Sequence, residues 1–255
     1  MPLIVLASPV PRSSLLVRTL GILFFLLAWG TSSRAQDQRS QSSVSVPQKI
    51  KIIALGDSLT EGYGVALQDA YPAILERLLH QRFARDLKIE VQNAGIGGST
   101  SASGAARLRW HLRAKPDLLL LALGANDMLR GAAPASTEAN LRKTLMIAKE
   151  NHLPVILAGM RVPPNYGTEY RRRFEAIYPK LAREFKIELI PFLLEGVAGN
   201  PELNLQDGIH PNEAGQMQIA KKLAPRIEAF LTTQMKLKLN PGEKPAPSAK
   251  QKGVS

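Results

Sequence analysis

The sequence predicts an α/β fold, a three-layer α/β/α sandwich built on a five-stranded parallel sheet. Two observations carry this expectation. Five short apolar runs alternate with five longer stretches of helical character. One run, Leu118-Leu119-Leu120-Leu121-Ala122-Leu123, is continuously apolar, as a strand buried on both faces of a parallel sheet must be.

In chain order, the first run is Lys51–Leu55, and a helical stretch over Tyr71–Arg85 follows it. Ile89–Gln92 is the second strand, followed by a helix over Ser103–Ala114. Asp117–Leu123 is the third, followed by Ser136–Glu150, and Pro154–Gly159 is the fourth, followed by Glu169–Phe185. Ile187–Pro191 is the fifth, and Glu213–Thr232 is the closing helix. In sheets of this kind ligands bind beyond the carboxyl ends of the strands. The loops that matter therefore follow Leu55, Gln92, Leu123, Gly159 and Pro191.

The ends of the chain differ from this middle. Residues 1–35 read as a signal peptide: Arg12 and Arg18 precede the apolar run Leu20–Trp29, and Ser33-Arg34-Ala35 offers small residues for cleavage. Ten helical residues reach about 15 Å, half of a bilayer core of about 30 Å, which argues against an uncleaved anchor. A periplasmic or secreted protein is the expectation. Residues 36–49 form a polar linker, residues 50–235 the folded domain, and residues 236–255 a basic, proline-containing tail expected to be disordered.

The formal charge of +12 suggests nucleic acid until it is apportioned. Arg12, Arg18 and Arg34 lie in the leader and the tail carries a net four positive charges, which leaves a surplus of five for residues 36–235. Arg171-Arg172-Arg173 would point three ways from a helix and make no stripe, so no nucleic-acid partner is expected. The chain has no cysteine, which removes disulfides, thiolate metal sites and a cysteine nucleophile. Its four histidines are scattered, so no metal site is expected.

The chemistry-bearing residues fall in four blocks. They are Gly56-Asp57-Ser58-Leu59 after the first strand, Asn93-Ala94-Gly95-Ile96-Gly97-Gly98-Ser99-Thr100 after the second, Gly124-Ala125-Asn126-Asp127 after the third, and Asp207-Gly208-Ile209-His210-Pro211-Asn212 before the last helix. A serine hydroxyl needs a base to become a nucleophile. Ser58 is the candidate nucleophile. His80, His111 and His152 lie in or beside helical stretches without an acid placed to orient them, whereas His210 stands three residues after Asp207. Asp207 can then hold the imidazole tautomer and stabilise the imidazolium. The order Ser, Asp, His without a Gly-x-Ser-x-Gly elbow sets the chain apart from ordinary α/β-hydrolases. The Gly95–Thr100 segment falls short of a dinucleotide fingerprint, because Thr100 stands where a glycine is needed, and no P-loop occurs.

These four blocks in this order resemble the SGNH hydrolases, also called GDSL esterases and lipases, over about residues 50–230. The segments Asn165-Tyr166-Gly167-Thr168-Glu169-Tyr170 and Ala176-Ile177-Tyr178-Pro179-Lys180-Leu181 are similar to the periplasmic acyl-CoA thioesterase, lysophospholipase and arylesterase branch. The resemblance implies a flavodoxin-like sheet and an acyl-enzyme on Ser58. It implies an oxyanion hole from the backbone N–H groups of Ser58 and Gly98 and the side-chain amide of Asn126. It also implies a substrate-binding loop at Asn165, Tyr166 and Gly167. Asp57 and Asp127 are expected to brace the loops. The branch usually carries an acid where this chain has Ser99, which leaves the hydrogen bonding around Gly98 open.

The expected substrate is a small acyl ester or thioester, handled without cofactor by a monomer that meets a membrane only transiently, through a lipid substrate. Two alternatives stand beside this: a carbohydrate O-acetylesterase of the same fold, and a non-catalytic cell-envelope binding module. The intact set of Ser58, Gly98, Asn126, Asp207 and His210 argues against the second. Val162–Tyr166 and Phe192–Val197 could line an apolar groove beside Ser58, and such a lining favours longer acyl chains.

Overall fold

The computed structural model describes residues 48–83 and 87–236. The expected signal peptide, most of the linker and nearly all of the tail lie outside the described residues. So does Arg85, the expected end of the first long helix.

Five parallel strands form one sheet in the order β2-β1-β3-β4-β5. They are β1 Gln48–Gly56, β2 Leu87–Gly95, β3 Leu118–Ala122, β4 Val155–Ala158 and β5 Glu188–Ile190. The first strand starts at Gln48, two residues before the expected domain boundary, because Gln48 and Lys49 pair with Leu87 and Lys88. Every side chain of β3 is buried, as its unbroken apolar run requires.

The helices are α1 Ser58–Glu61, α2 Tyr71–Arg82, α3 Gly104–His111, α4 Ala125–Leu129, α5 Pro134–Glu150, α6 Thr168–Glu175, α7 Ile177–Phe185 and α8 Glu213–Gln234. α2 packs on α8, while α5 packs on α3 and α7. Right-handed crossovers put the first pair on one face of the sheet and the other three on the opposite face, which makes the three layers. The stretch Glu169–Phe185, expected as one helix, is broken at Ala176. Pro179 lacks the N–H that would bond the carbonyl of Glu175, and its ring crowds that carbonyl, so the ladder restarts as α7.

Register aligns the functional loops. Gly56 at the end of β1 pairs with Gly95 of β2 on one side and Ala122 of β3 on the other. The chain moves from β1 to β2 in one direction and crosses back over β1 to reach β3. The loop after β1 therefore sits at the point where the winding reverses, where open α/β sheets form their ligand crevice.

Candidate active site

Ser58 opens α1, a single helical turn directly after β1. Asp57 caps that turn, its Oδ1 accepting the N–H of Leu59 at 3.1 Å. As the first helical residue, Ser58 has no intrahelical acceptor for its own N–H. The turn is held from behind. Thr60 Oγ1 and Tyr71 Oη lie 2.9 Å apart, and the buried Gln216 of α8 accepts the N–H of Tyr71 at 2.9 Å and donates to the carbonyl of Leu59 at 3.4 Å. Gly95 permits the approach of β2 to this turn, since a Cβ there would lie 2.0 Å from the backbone N of Glu61.

His210 reaches the site from the loop before α8. The carbonyl of His210 accepts the N–H of Leu205 at 2.7 Å, an isolated bridge joins Asn204 and Pro211, and Asn212 caps α8 through its bond from the N–H of Gly215. Asp207 folds back on the same loop. Its Oδ1 accepts the backbone N–H groups of Ile209 and His210 at 2.9 and 3.0 Å, and its Oδ2 lies 2.6 Å from His210 Nδ1. Backbone and imidazole donors together hold the Asp207 carboxyl down at about 2. An ionised carboxylate only accepts, so Nδ1 of His210 carries a proton, and in the neutral imidazole Nε2 is then the acceptor. That nitrogen lies 3.0 Å from Ser58 Oγ. The ring of Tyr63 leans against the imidazole with centroids 4.5 Å apart.

The second and third blocks face the nucleophile from the flank. Gly98 adopts φ of +72°, a conformation that glycine takes without penalty. Its N–H donates to no protein group among the described residues. Asn126 lies in the first turn of α4, and its amide nitrogen donates to the carbonyl of Ser99 at 3.1 Å, which leaves its second proton free. Asp127 locks the two loops together, its Oδ2 accepting the N–H of Ser101 at 2.7 Å and its Oδ1 the hydroxyl of Ser101 at 2.5 Å. Gly124 before α4 is required, because a Cβ there would meet Tyr178 Oη at 2.2 Å. Around Ser99 the bonds run through backbone: its N–H donates to Ile96 and its carbonyl accepts Asn126.

Ser58, Gly98, Asn126 and His210 all line one cleft of about 800 Å³. Its walls are mostly apolar and include Leu59, Met128, Leu129, Val162, Phe192 and Leu194. The expected groove residues divide. Val162, Pro163, Pro164, Phe192 and Leu194 line the cleft, whereas Asn165, Tyr166 and Gly167 do not. Pro164 lines the cleft and also opens the 3₁₀ turn Pro164–Tyr166. Tyr166 stacks on Tyr170, the first step of a column that continues through Phe174 to Tyr178. Gly167, at φ of +84°, serves instead as the cap residue that starts α6. Tyr63, Met160, Arg161, Ala198 and Ile209 also line the cleft and carried no sequence signal of their own. No group of metal-ligating side chains is present among the described residues.

Residues 54–218 match the GDSL-like Lipase/Acylhydrolase family. The chain is 40% identical over 182 residues to the arylesterase of Vibrio mimicus, covering 71% of this chain and 90% of that one. It is 41% identical over 181 residues to thioesterase 1/protease 1/lysophospholipase L1 of Escherichia coli K12, covering 71% and 84%. The crystal structure of TesA superposes with a TM-score of 0.67 at 36% identity, covering 71% of this chain and 99% of that one. Strand order, the reversal of winding at Ser58 and this match over most of the domain agree: the chain belongs to the GDSL-like lipase/acylhydrolase family and is an ester-cleaving enzyme.

Proposed function

We propose that the protein hydrolyses carboxylic esters and thioesters of medium and longer acyl chains through an acyl-enzyme on Ser58. The observation that carries the acyl preference is the apolar cleft of about 800 Å³ that opens on Ser58 and His210. A pocket built only for an acetyl group needs far less apolar wall. The arylesterase and thioesterase relatives support ester and thioester bonds as substrates, at 40% and 41% identity. The acetylxylan esterase of Xylanibacter ruminicola is 24% identical, and the match covers 49% of that protein.

In this reading His210 Nε2 takes the Ser58 proton as Oγ attacks the acyl carbon. Charge builds on the former carbonyl oxygen. It is met by the N–H groups of Ser58 and Gly98 and the free amide proton of Asn126. The imidazolium, stabilised by ionised Asp207, then passes its proton to the leaving alkoxide or thiolate. Water, deprotonated by the same Nε2, releases the acid from the acyl-enzyme.

The leader is proposed to direct export, with cleavage after Ala35 and a periplasmic or secreted mature protein beginning at Gln36. This rests on Arg12, Arg18, the apolar run Leu20–Trp29 and the small residues before Gln36. The protein is proposed to act as a monomer. Among the described residues no helix is long and apolar enough to cross a membrane.

The test is a profile of kcat/KM for p-nitrophenyl esters from acetyl to dodecanoyl, alongside acyl-CoA thioesters. The reading expects a several-fold rise from acetyl to butyryl and beyond, with thioester cleavage. An enzyme fastest on acetyl esters and inert to thioesters would support a carbohydrate O-acetylesterase instead.

A further inference from the structure

Arg130 stands just past α4, outside the four sequence blocks, and bonds to both Asn126 and Gly98. Its backbone N–H donates to the carbonyl of Asn126 at 3.1 Å, which closes the turn that holds the Asn126 side chain. Its guanidinium Nη2 donates to the carbonyl of Gly98 at 2.9 Å. Arg130 is exposed, and it pairs with no carboxylate among the described residues.

The position of that second bond matters. The Gly97–Gly98 peptide carries the N–H that points to the oxyanion, and the Gly98–Ser99 peptide is the next rigid plane along. That next plane is fixed at both ends, its N–H bonded to the carbonyl of Ile96 at 3.2 Å and its C=O bonded to Arg130. Between the two planes lies Gly98, which can populate either sign of φ at little cost. With the far plane pinned, only the observed geometry is left to the near one. Without Arg130 the Gly98 carbonyl loses its only partner among the described residues, the far plane is held through the Ser99 N–H alone, and the near plane gains freedom to swing its N–H off the reacting oxygen. A charged donor on a carbonyl also forms a stronger bond than a neutral one, which suits a clamp exposed to water.

We propose that Arg130 is a positioning residue for catalysis, a clamp that holds the Gly98 N–H in line with the Asn126 amide so that both donors meet the transition-state oxyanion. It does not itself touch substrate. Its effect falls on the transition state and spares ground-state binding, because the donors engage fully only once charge has developed.

The proposal rests on reading Gly98 and Asn126 as oxyanion donors. The experiment compares wild type, Arg130→Met and Arg130→Lys in hydrolysis of p-nitrophenyl butyrate. It also measures inhibition by an alkyl trifluoromethyl ketone, which forms a hemiketal oxyanion, and by butyrate, and the thermal midpoint of each protein. Arg130→Met is expected to lower kcat about 10-fold with KM within about 2-fold, less than for outright loss of a donor. The ketone should weaken in parallel while butyrate and the thermal midpoint hold. Arg130→Lys, which keeps a charged donor, should recover most of kcat. The proposal is overturned by an unchanged kcat in Arg130→Met, by butyrate weakening as much as the ketone, or by failure of lysine to rescue a normally folded enzyme. Wild type inert to the ester, or fully active after Asn126→Ala, would instead overturn the underlying reading of the hole.

Discussion

His210 Nε2 lies 3.0 Å from Ser58 Oγ across 152 residues of chain. The contact is set by two rigid devices, neither of them a long helix. A one-turn helix at the end of the sheet's first strand presents the serine. A bridged loop pinned by Asn204, Leu205 and Asn212 presents the histidine. Gln216, buried in α8 and bonded to both Tyr71 and Leu59, ties the histidine's helix to the turn that carries the serine.

Asn126 lines the cleft, and one proton of its amide is spent on Ser99. Asn126→Ala should lower kcat by about 10²–10³ with little change in KM, as for loss of one oxyanion donor. Steady-state kinetics on p-nitrophenyl butyrate measures both. A KM effect without a kcat effect would make Asn126 a substrate-binding residue only.

Asp207 has its carboxyl held down at about 2 by His210 and two backbone N–H groups. A depressed carboxylate adds stability that is complete above its unfolded value of about 3.9 and is lost as pH falls through the folded value. The thermal midpoint of wild type should therefore exceed that of Asp207→Asn at pH 5, and the gap should narrow between about pH 4 and pH 2. A gap that does not narrow as pH falls from about 4 to about 2 contradicts the assignment. At neutral pH the same substitution should cost kcat about 10²–10⁴, because an amide presents the wrong partner to Nδ1.

Asp57 titrates the other way. It is fully buried, its Oδ2 has no partner among the described residues, and burial pushes its carboxyl up to about 6 despite the bond from Leu59. An acid whose folded value lies above its unfolded one costs stability as it ionises, so the penalty appears between about pH 4 and pH 6 and is complete above that. The shift corresponds to on the order of 2–3 kcal/mol. Asp57→Asn keeps the cap to Leu59 and removes the charge. Relative to wild type it should gain thermal stability on going from pH 4.5 to pH 8. A constant difference across that range would mean the carboxylate is stabilised by contacts other than those seen.

Phe192 forms part of the apolar wall and carries the Arg161 guanidinium over its ring at 5.2 Å. Phe192→Ala should flatten the dependence on acyl length, removing up to about 0.8 kcal/mol for each methylene that rests on the ring. Acetyl-ester turnover should change little. Equal losses on acetyl and octanoyl esters would place Phe192 outside the acyl path.

Much of this site was legible because chemistry and topology constrain the same residues. The serine, glycine and asparagine blocks had to fall at strand ends, which alternating apolar runs located, and the histidine with its acid stood before the last helix. Substrate contacts were less legible. Val162–Tyr166 was expected to line an apolar groove, and Val162, Pro163 and Pro164 do line the cleft. The resemblance also placed Asn165–Gly167 in the substrate loop, but those residues do not line the cleft: Tyr166 stacks in a column of aromatic rings and Gly167 caps α6. The support for the nucleophile turn was invisible for another reason. Gln216 sits in the first turn of α8, and nothing in periodicity marks one glutamine as buried beneath a turn more than 150 residues earlier. Arg130 is one exposed arginine among many until its bond to the Gly98 carbonyl is seen.

The most direct test of the account is covalent labelling of the pure protein with a fluorophosphonate, with the adduct located by peptide mass spectrometry. The account predicts one adduct per chain, on Ser58, lost in Ser58→Ala together with ester hydrolysis and slowed by orders of magnitude in His210→Ala. An adduct on a different residue, or a folded Ser58→Ala protein that keeps most of its ester hydrolysis, would contradict it.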